Sequence, residues 1–119
     1  MMRVKDDSTR IALTTGGMVL GHLIVADCFA RHGFDCIITA GSDGTHKVGS
    51  LHATGKALDY RIWHVPKEAQ VQLINEVRQN LGAEFDVLLE QAGTGGLSTA
   101  PHLHVELDPK PPQAVIAGV

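Results

Sequence analysis

The chain has 119 residues, 44% of them hydrophobic and 19% charged, with a formal net charge of −3. That is one domain's worth of globular sequence; it excludes a disordered segment and a nucleic-acid binder built on a clustered cationic face. No apolar run approaches the roughly 20 residues that cross a bilayer, and the opening Met-Met-Arg-Val-Lys-Asp-Asp has no apolar core of the kind a secretory signal carries, so synthesis in the cytosol is expected.

Residues 1–16 are polar and weakly patterned, which predicts an irregular lead-in with at most a short strand around Ile11–Leu13. From Gly17 to His32, the apolar residues Val19, Leu20, Leu23, Ile24 and Phe29 suit one face of a helix, and Gly33 is placed to end it. Phe34–Ala40 reads as a short buried strand and Gly41–Gly49 as a turn-rich loop. Lys56–Ile62 alternates, with Ala57, Asp59 and Arg61 on one face and Leu58, Tyr60 and Ile62 on the other. Pro66 opens the next helix, whose stripe of Ala69, Leu73, Val77 and Leu81 stops at Gly82. Phe85–Glu90 is a strand, 92–100 a Gly-rich loop, and Pro101–Leu107 a final strand; the Pro-rich tail from Asp108 cannot continue a ladder. The expected fold is a single α+β domain with a small, mainly antiparallel sheet and two main helices. Cys28 and Cys36 sit among apolar neighbours and read as buried, reduced thiols.

Seven histidines make the chemistry worth locating. In Pro101–Leu107, period two sends Leu103, Val105 and Leu107 to the core and His102, His104 and Glu106 to the opposite face. Such a row is either an ordinary exposed sheet face or a metal site, since imidazoles and carboxylates are costly to bury without a partner. A second cluster lies in Ser50–Arg61, where His52 and Asp59 are seven residues apart and Gly55 permits a tight turn between them. His52, Asp59 and His104 together make two nitrogens and one oxygen. Three protein ligands leave a fourth position for water, the pattern of a catalytic zinc.

The element Ser50-Leu-His52-x-x-Gly55-x-Ala57-x-Asp59, followed by His102-x-His104, resembles the zinc D-Ala-D-Ala peptidase and hedgehog signalling-domain superfamily. The likeness covers residues 34 to 107 and implies a zinc ion in a cleft over the sheet, held by His52, Asp59 and His104. It implies a water-activating acid at the end of the strand before the His-x-His segment, where Glu90 stands; the stretch Gln91–Ala100 between them is longer than in relatives. In some relatives the acid lies three positions before the last ligand, but here that position is Pro101, so Glu106 is the alternative base. His46 matches a histidine that would hydrogen-bond the developing oxyanion, and His102 would be an outer hydrogen-bond partner or proton shuttle. Many relatives grip the substrate carboxylate with an upstream arginine. This chain has Ala40-Gly41-Ser42-Asp43 there, so Lys47 or Arg61 takes that role or the substrate has no such carboxylate; Ser50 is the other expected substrate-binding group. His22, His32 and His64 read as structural or exposed.

The activity the resemblance implies is zinc-dependent hydrolysis of an amide bond in peptidoglycan stem or cross-link peptides, as a carboxypeptidase or endopeptidase. A phage or prophage lysis or virion-associated role is the expected setting. The opposing reading is a non-catalytic zinc-binding interaction domain, or a virion structural domain, on the same scaffold.

Overall fold

A computed structural model describes residues 1–13, 15–41, 55–91 and 100–108. Its elements run β1 (Met2–Val4), α1 (Gly16–Arg31), β2 (Cys36–Ala40), β3 (Ala57–Arg61), α2 (Lys67–Leu81), β4 (Phe85–Glu90) and β5 (His102–Leu107). The strands form one sheet in the order β1-β2-β3-β5-β4. Only β1 and β2 are parallel; β2–β3, β3–β5 and β5–β4 are antiparallel. The architecture is α+β, as the order of elements predicts, and most strand and helix ends fall within a residue or two of those predicted.

Directly opposed residues on antiparallel strands point to the same side of a sheet. Tyr60 opposes Leu103, Leu58 opposes Val105, and Val87 opposes Val105 from the other side. Those residues join Ile38, Ile62 and Val65 in one core with Met18, Val25, Cys28 and Phe29 of α1 and Leu73, Ile74 and Val77 of α2. Both helices therefore cover one face of the sheet. The other face is left to Asp59, Arg61, His102, His104, Glu106, Asp86 and Glu90. The alternation read in β3 and β5 and the stripe read in α2 hold residue for residue, with Ala69 and Leu81 at the margins of the core. Gly82 ends α2 at φ 85, a left-handed geometry that a Cβ disfavours. Gly55, at φ 76, turns the chain into β3 in the same way.

Two expectations need correction. The lead-in is not irregular throughout: Met2–Val4 pairs with β2, whereas Ile11–Leu13 forms no strand. Backbone groups hold β1, with Cys36 N–H donating to Met1 O at 2.8 Å and the N-terminal ammonium paired with Asp35. Its side chains are exposed, so no burial pattern marked it. The second correction is the face of α1. Met18, Gly21, His22, Val25, Cys28 and Phe29 are buried, while Val19, Leu20 and Leu23 face outward.

The reason is that α1 is apolar nearly all round, so hydrophobicity alone does not choose its face. Close approach does. A Cβ at Gly21 would lie 2.5 Å from the Phe85 ring, and His22 satisfies a buried nitrogen with the Tyr60 hydroxyl at 2.8 Å. Cys28 and Cys36 are free and buried, as expected; burial pushes the Cys36 thiol up to about 12, so it stays protonated. No helix among the described residues is long and apolar enough to cross a membrane.

This assignment of the α1 face predicts unequal costs for two similar truncations. Met18→Ala, at a fully buried site, should cost about 2–5 kcal/mol of unfolding free energy. Leu20→Ala, at a residue 63% exposed, should change it by less than about 0.5 kcal/mol. Urea denaturation of both variants measures the difference, and equal losses would contradict the orientation.

Candidate functional site

The open face of the sheet is organised by β5, which lies between β3 and β4. Register sets Asp59 opposite His104 and Arg61 opposite His102 on one side. On the other side it sets Glu90 opposite His102, Leu88 opposite His104, and Asp86 opposite Glu106. Each imidazole is thereby flanked by acids from a neighbouring strand. The long connection between β4 and β5 does not disturb this, because ladder pairing, not loop length, aligns Glu90 with His102.

His104 Nδ1 lies 2.8 Å from Asp59 Oδ1, and its Nε2 lies 2.7 Å from Glu106 Oε1. His102 Nε2 lies 2.7 Å from Glu90 Oε1 and 3.7 Å from Asp59 Oδ2, and its Nδ1 lies 3.2 Å from the Ala100 carbonyl oxygen. His104 Nδ1 is also 3.9 Å from Glu90 Oε1. Side-chain exposure is 12% for His104, 15% for His102 and Asp59, and 31% for Glu90. The cluster is mostly withdrawn from water, with Glu90 its most exposed member.

An imidazole with an acid at each nitrogen can satisfy both only as the doubly protonated cation. Burial, the largest single effect on His104, works against that charge. The bonds and charges of Asp59, the bond to Glu106 and the charge of Glu90 together outweigh it and push the pKa up to about 9. The His22 imidazole is the contrast: burial holds its pKa down, and its Nδ1 pairs with the neutral Tyr60 hydroxyl.

The structure thus brings together Asp59, Glu90, His102, His104 and Glu106, and sets Arg61 beside them. Asp59, Glu90 and His102 offer ligand atoms within 4.8 Å of one another. His52, His46, Ser50 and Lys47 lie outside the described residues. His32 pairs with Glu76, and His64 Nε2 donates to Asp35 O at 2.8 Å, so both do structural work as expected. Asp86 was missed by sequence reading, although the alternation of β4 places Asp86, Leu88 and Glu90 on one face. Trp63 was also missed: it is 56% exposed, and the Arg61 guanidinium carbon lies 4.7 Å from its ring centroid.

The chain matches no protein-family model, no curated protein and no solved structure.

The raised pKa of His104 has a signed consequence for the metal-free protein. An imidazole raised from 6.5 to about 9 contributes stability that is fully present below 6.5 and is lost as pH rises through 9. The contribution is on the order of 3 kcal/mol. Denaturation between pH 7 and 9.5 should show stability falling with pH, and His104→Gln should flatten that slope. An unchanged slope in the variant would contradict the assignment.

Proposed function

We propose that this chain is a zinc-dependent peptidase that hydrolyses an amide bond in peptidoglycan stem or cross-link peptides, on a hedgehog/D-Ala-D-Ala-peptidase-like scaffold. The observation that carries the reading is the meeting of Asp59, Glu90, His102 and His104 from three adjacent strands. Ligand atoms around a tetrahedral zinc lie roughly 3.4 Å apart. The imidazole–carboxylate separations here run from 2.7 to 3.9 Å, and Asp59, Glu90 and His102 offer ligand atoms within 4.8 Å of one another. Two imidazoles among four acids, counting Glu106 and Asp86, are also a donor set that favours a bound cation over bare carboxylates.

In this reading Asp59, His104 and His52 hold the metal. A ligating nitrogen carries no proton, so His104 gives up one of its two carboxylate bonds. Nδ1 faces Asp59 and Glu90, whereas Nε2 faces Glu106. Were Nδ1 the ligating nitrogen, Glu106 would accept the Nε2–H bond at 2.7 Å and fix the tautomer and the ring orientation. A zinc ion held by these residues would supply a Lewis acid that lowers the pKa of water and polarises a carbonyl.

Glu90 takes a proton from the attacking water and returns it to the leaving amine. His102 donates to Glu90 Oε1 at 2.7 Å and so aims that carboxylate. His46 is assigned the oxyanion, and Ser50 and Arg61 the substrate.

Three substitutions test the roles separately. Glu90→Gln should abolish release of muropeptide fragments, followed by mass analysis, while zinc remains bound; unchanged turnover would remove Glu90 from the mechanism. His104→Ala should lose zinc, and stoichiometric metal in that variant would overturn the ligand set. Glu106→Gln should weaken zinc binding about 10–100-fold, with undiminished affinity counting against its orienting role. An intact zinc site in a chain that cleaves no peptidoglycan peptide would favour a binding domain over an enzyme.

A further inference from the structure

Among the described residues β4 is an edge of the sheet, paired with β5 on one side. An antiparallel strand turns its backbone groups alternately toward its two sides. The Asp108 N–H donates to Glu84 O at 2.9 Å, so the even-numbered residues of β4 bond toward β5, and Phe85, Val87 and Leu89 face outward. Arg78 on α2 follows the same parity, its Nε and Nη2 donating to Val87 O at 3.2 and 2.8 Å. The Phe85 N–H turns back to Gly82 O at 3.3 Å. The chain's own groups thus occupy one half of this edge, and the other half presents the N–H and C=O of Leu89, the kind of row that templates a further strand.

Beside that half lies a groove of about 210 Å³ lined by Val71, Ile74, Asn75, Arg78 and Leu89. Its four α2 residues follow the spacing of one helix stripe, and Val71 is 62% exposed. A strand laid against β4 sends alternate side chains to the two faces of the sheet. A residue opposite Leu89 shares the helix side and enters this groove. Residues opposite Leu88 and Glu90 stand on the open face, and the first of them lies between Asp86 and Glu90.

Charge decides what fits there. Asp86 opposes Glu106, and Asp86, Glu106 and Asp108 offer carboxylate oxygens within 4.8 Å of one another. Neither β4 nor β5 contains a lysine or arginine. A second copy of β4, continuing the sheet across a two-fold axis, would bring another Asp86 and Glu90 to the same face, and like charges facing across strands destabilise pairing. A strand with basic residues on the open face and apolar ones toward the groove suits both sides. Lysine and arginine also lay their aliphatic stems along apolar surface, which Leu88, 46% exposed, provides.

We infer that the Leu89 end of β4 and the α2 groove beside it take up an extended segment of a partner polypeptide as an antiparallel sixth strand. The segment alternates, with basic residues opposite Leu88 and Glu90 and apolar residues against Val71, Ile74 and Leu89. Backbone bonds to Leu89 attach the segment, and the alternation selects it. The inference stands on the strand edge, the groove and the acids around them; neither bound metal nor the peptidase reading enters it.

Fluorescently labelled acetyl-Lys-Val-Lys-Val-Lys-amide, titrated with the full chain, should bind saturably. Its counterpart with glutamate for lysine should bind about tenfold more weakly or worse. Methylating the valine backbone nitrogens of the basic peptide keeps its charge and removes the edge bonds, and should cost about tenfold as well. Amide exchange at Leu89 should slow about tenfold or more in the complex, while Leu88, whose N–H faces β5, stays unchanged. Val71→Lys places a cation in the groove at an exposed position and should weaken binding about fivefold. No saturable binding, equal binding of the acidic or N-methylated peptide, wild-type affinity in Val71→Lys, or saturation without protection of Leu89 would overturn the strand addition. Self-association of the free chain that protects Leu89 and is lost in Val71→Lys would make a second copy the occupant and overturn the basic partner.

Discussion

The register of β5 between β3 and β4 is the constraint on which the site depends. Leu103, Val105 and Leu107 point into a core shared with both helices, and a strand with one face buried cannot slip by one residue without exposing that whole set. The same apolar pattern that fixes the register therefore fixes where His102 and His104 stand. Asp59 and Glu90 reach them by the ladder, not by the loops that connect the strands. A chemically demanding cluster is thus held by ordinary hydrophobic packing on the reverse side of the sheet.

What that packing enforces is an electrostatic problem. Asp59, Asp86, Glu90 and Glu106 share a face with two imidazoles, and the innermost of these side chains are largely withdrawn from water. Close carboxylates that are partly desolvated repel one another unless a positive charge intervenes. In the metal-free chain, the proton on His104 supplies part of that charge. A divalent cation would supply more of it from one point. The proton and the metal are alternative answers to the same arrangement of acids, which makes a raised histidine compatible with a metal site. Arg61 is the positive side chain on this face, and its guanidinium lies over the Trp63 ring.

The parts of the fold legible in the sequence were those where one pattern had one interpretation. In β3 and β5, strict alternation separated Tyr60 and Leu103 from Asp59 and His104. In α2, Leu73 and Val77 lie on a stripe bounded by polar residues and closed by Gly82. In α1 the apolar residues surround the axis, so the buried side was settled by Gly21 against Phe85 and by His22 against Tyr60, contacts with elements far along the chain. β1 carries no burial signal because its pairing is made by the backbone. Of the site, Asp59, Glu90, His102, His104 and Glu106 could be named from spacing and resemblance. Asp86 and Trp63 could not, because a single acid or indole has no motif until the register shows what it faces. His46, Ser50 and His52 lie outside the described residues.

The central claim is that this face of the sheet is a metal centre built from imidazole and carboxylate. X-ray absorption at the zinc edge of the loaded protein tests it most directly. The account predicts one zinc per chain with four nitrogen and oxygen neighbours at about 2.0–2.2 Å and scattering from two imidazoles. Sulfur neighbours at about 2.3 Å, or no stoichiometric uptake, would contradict it.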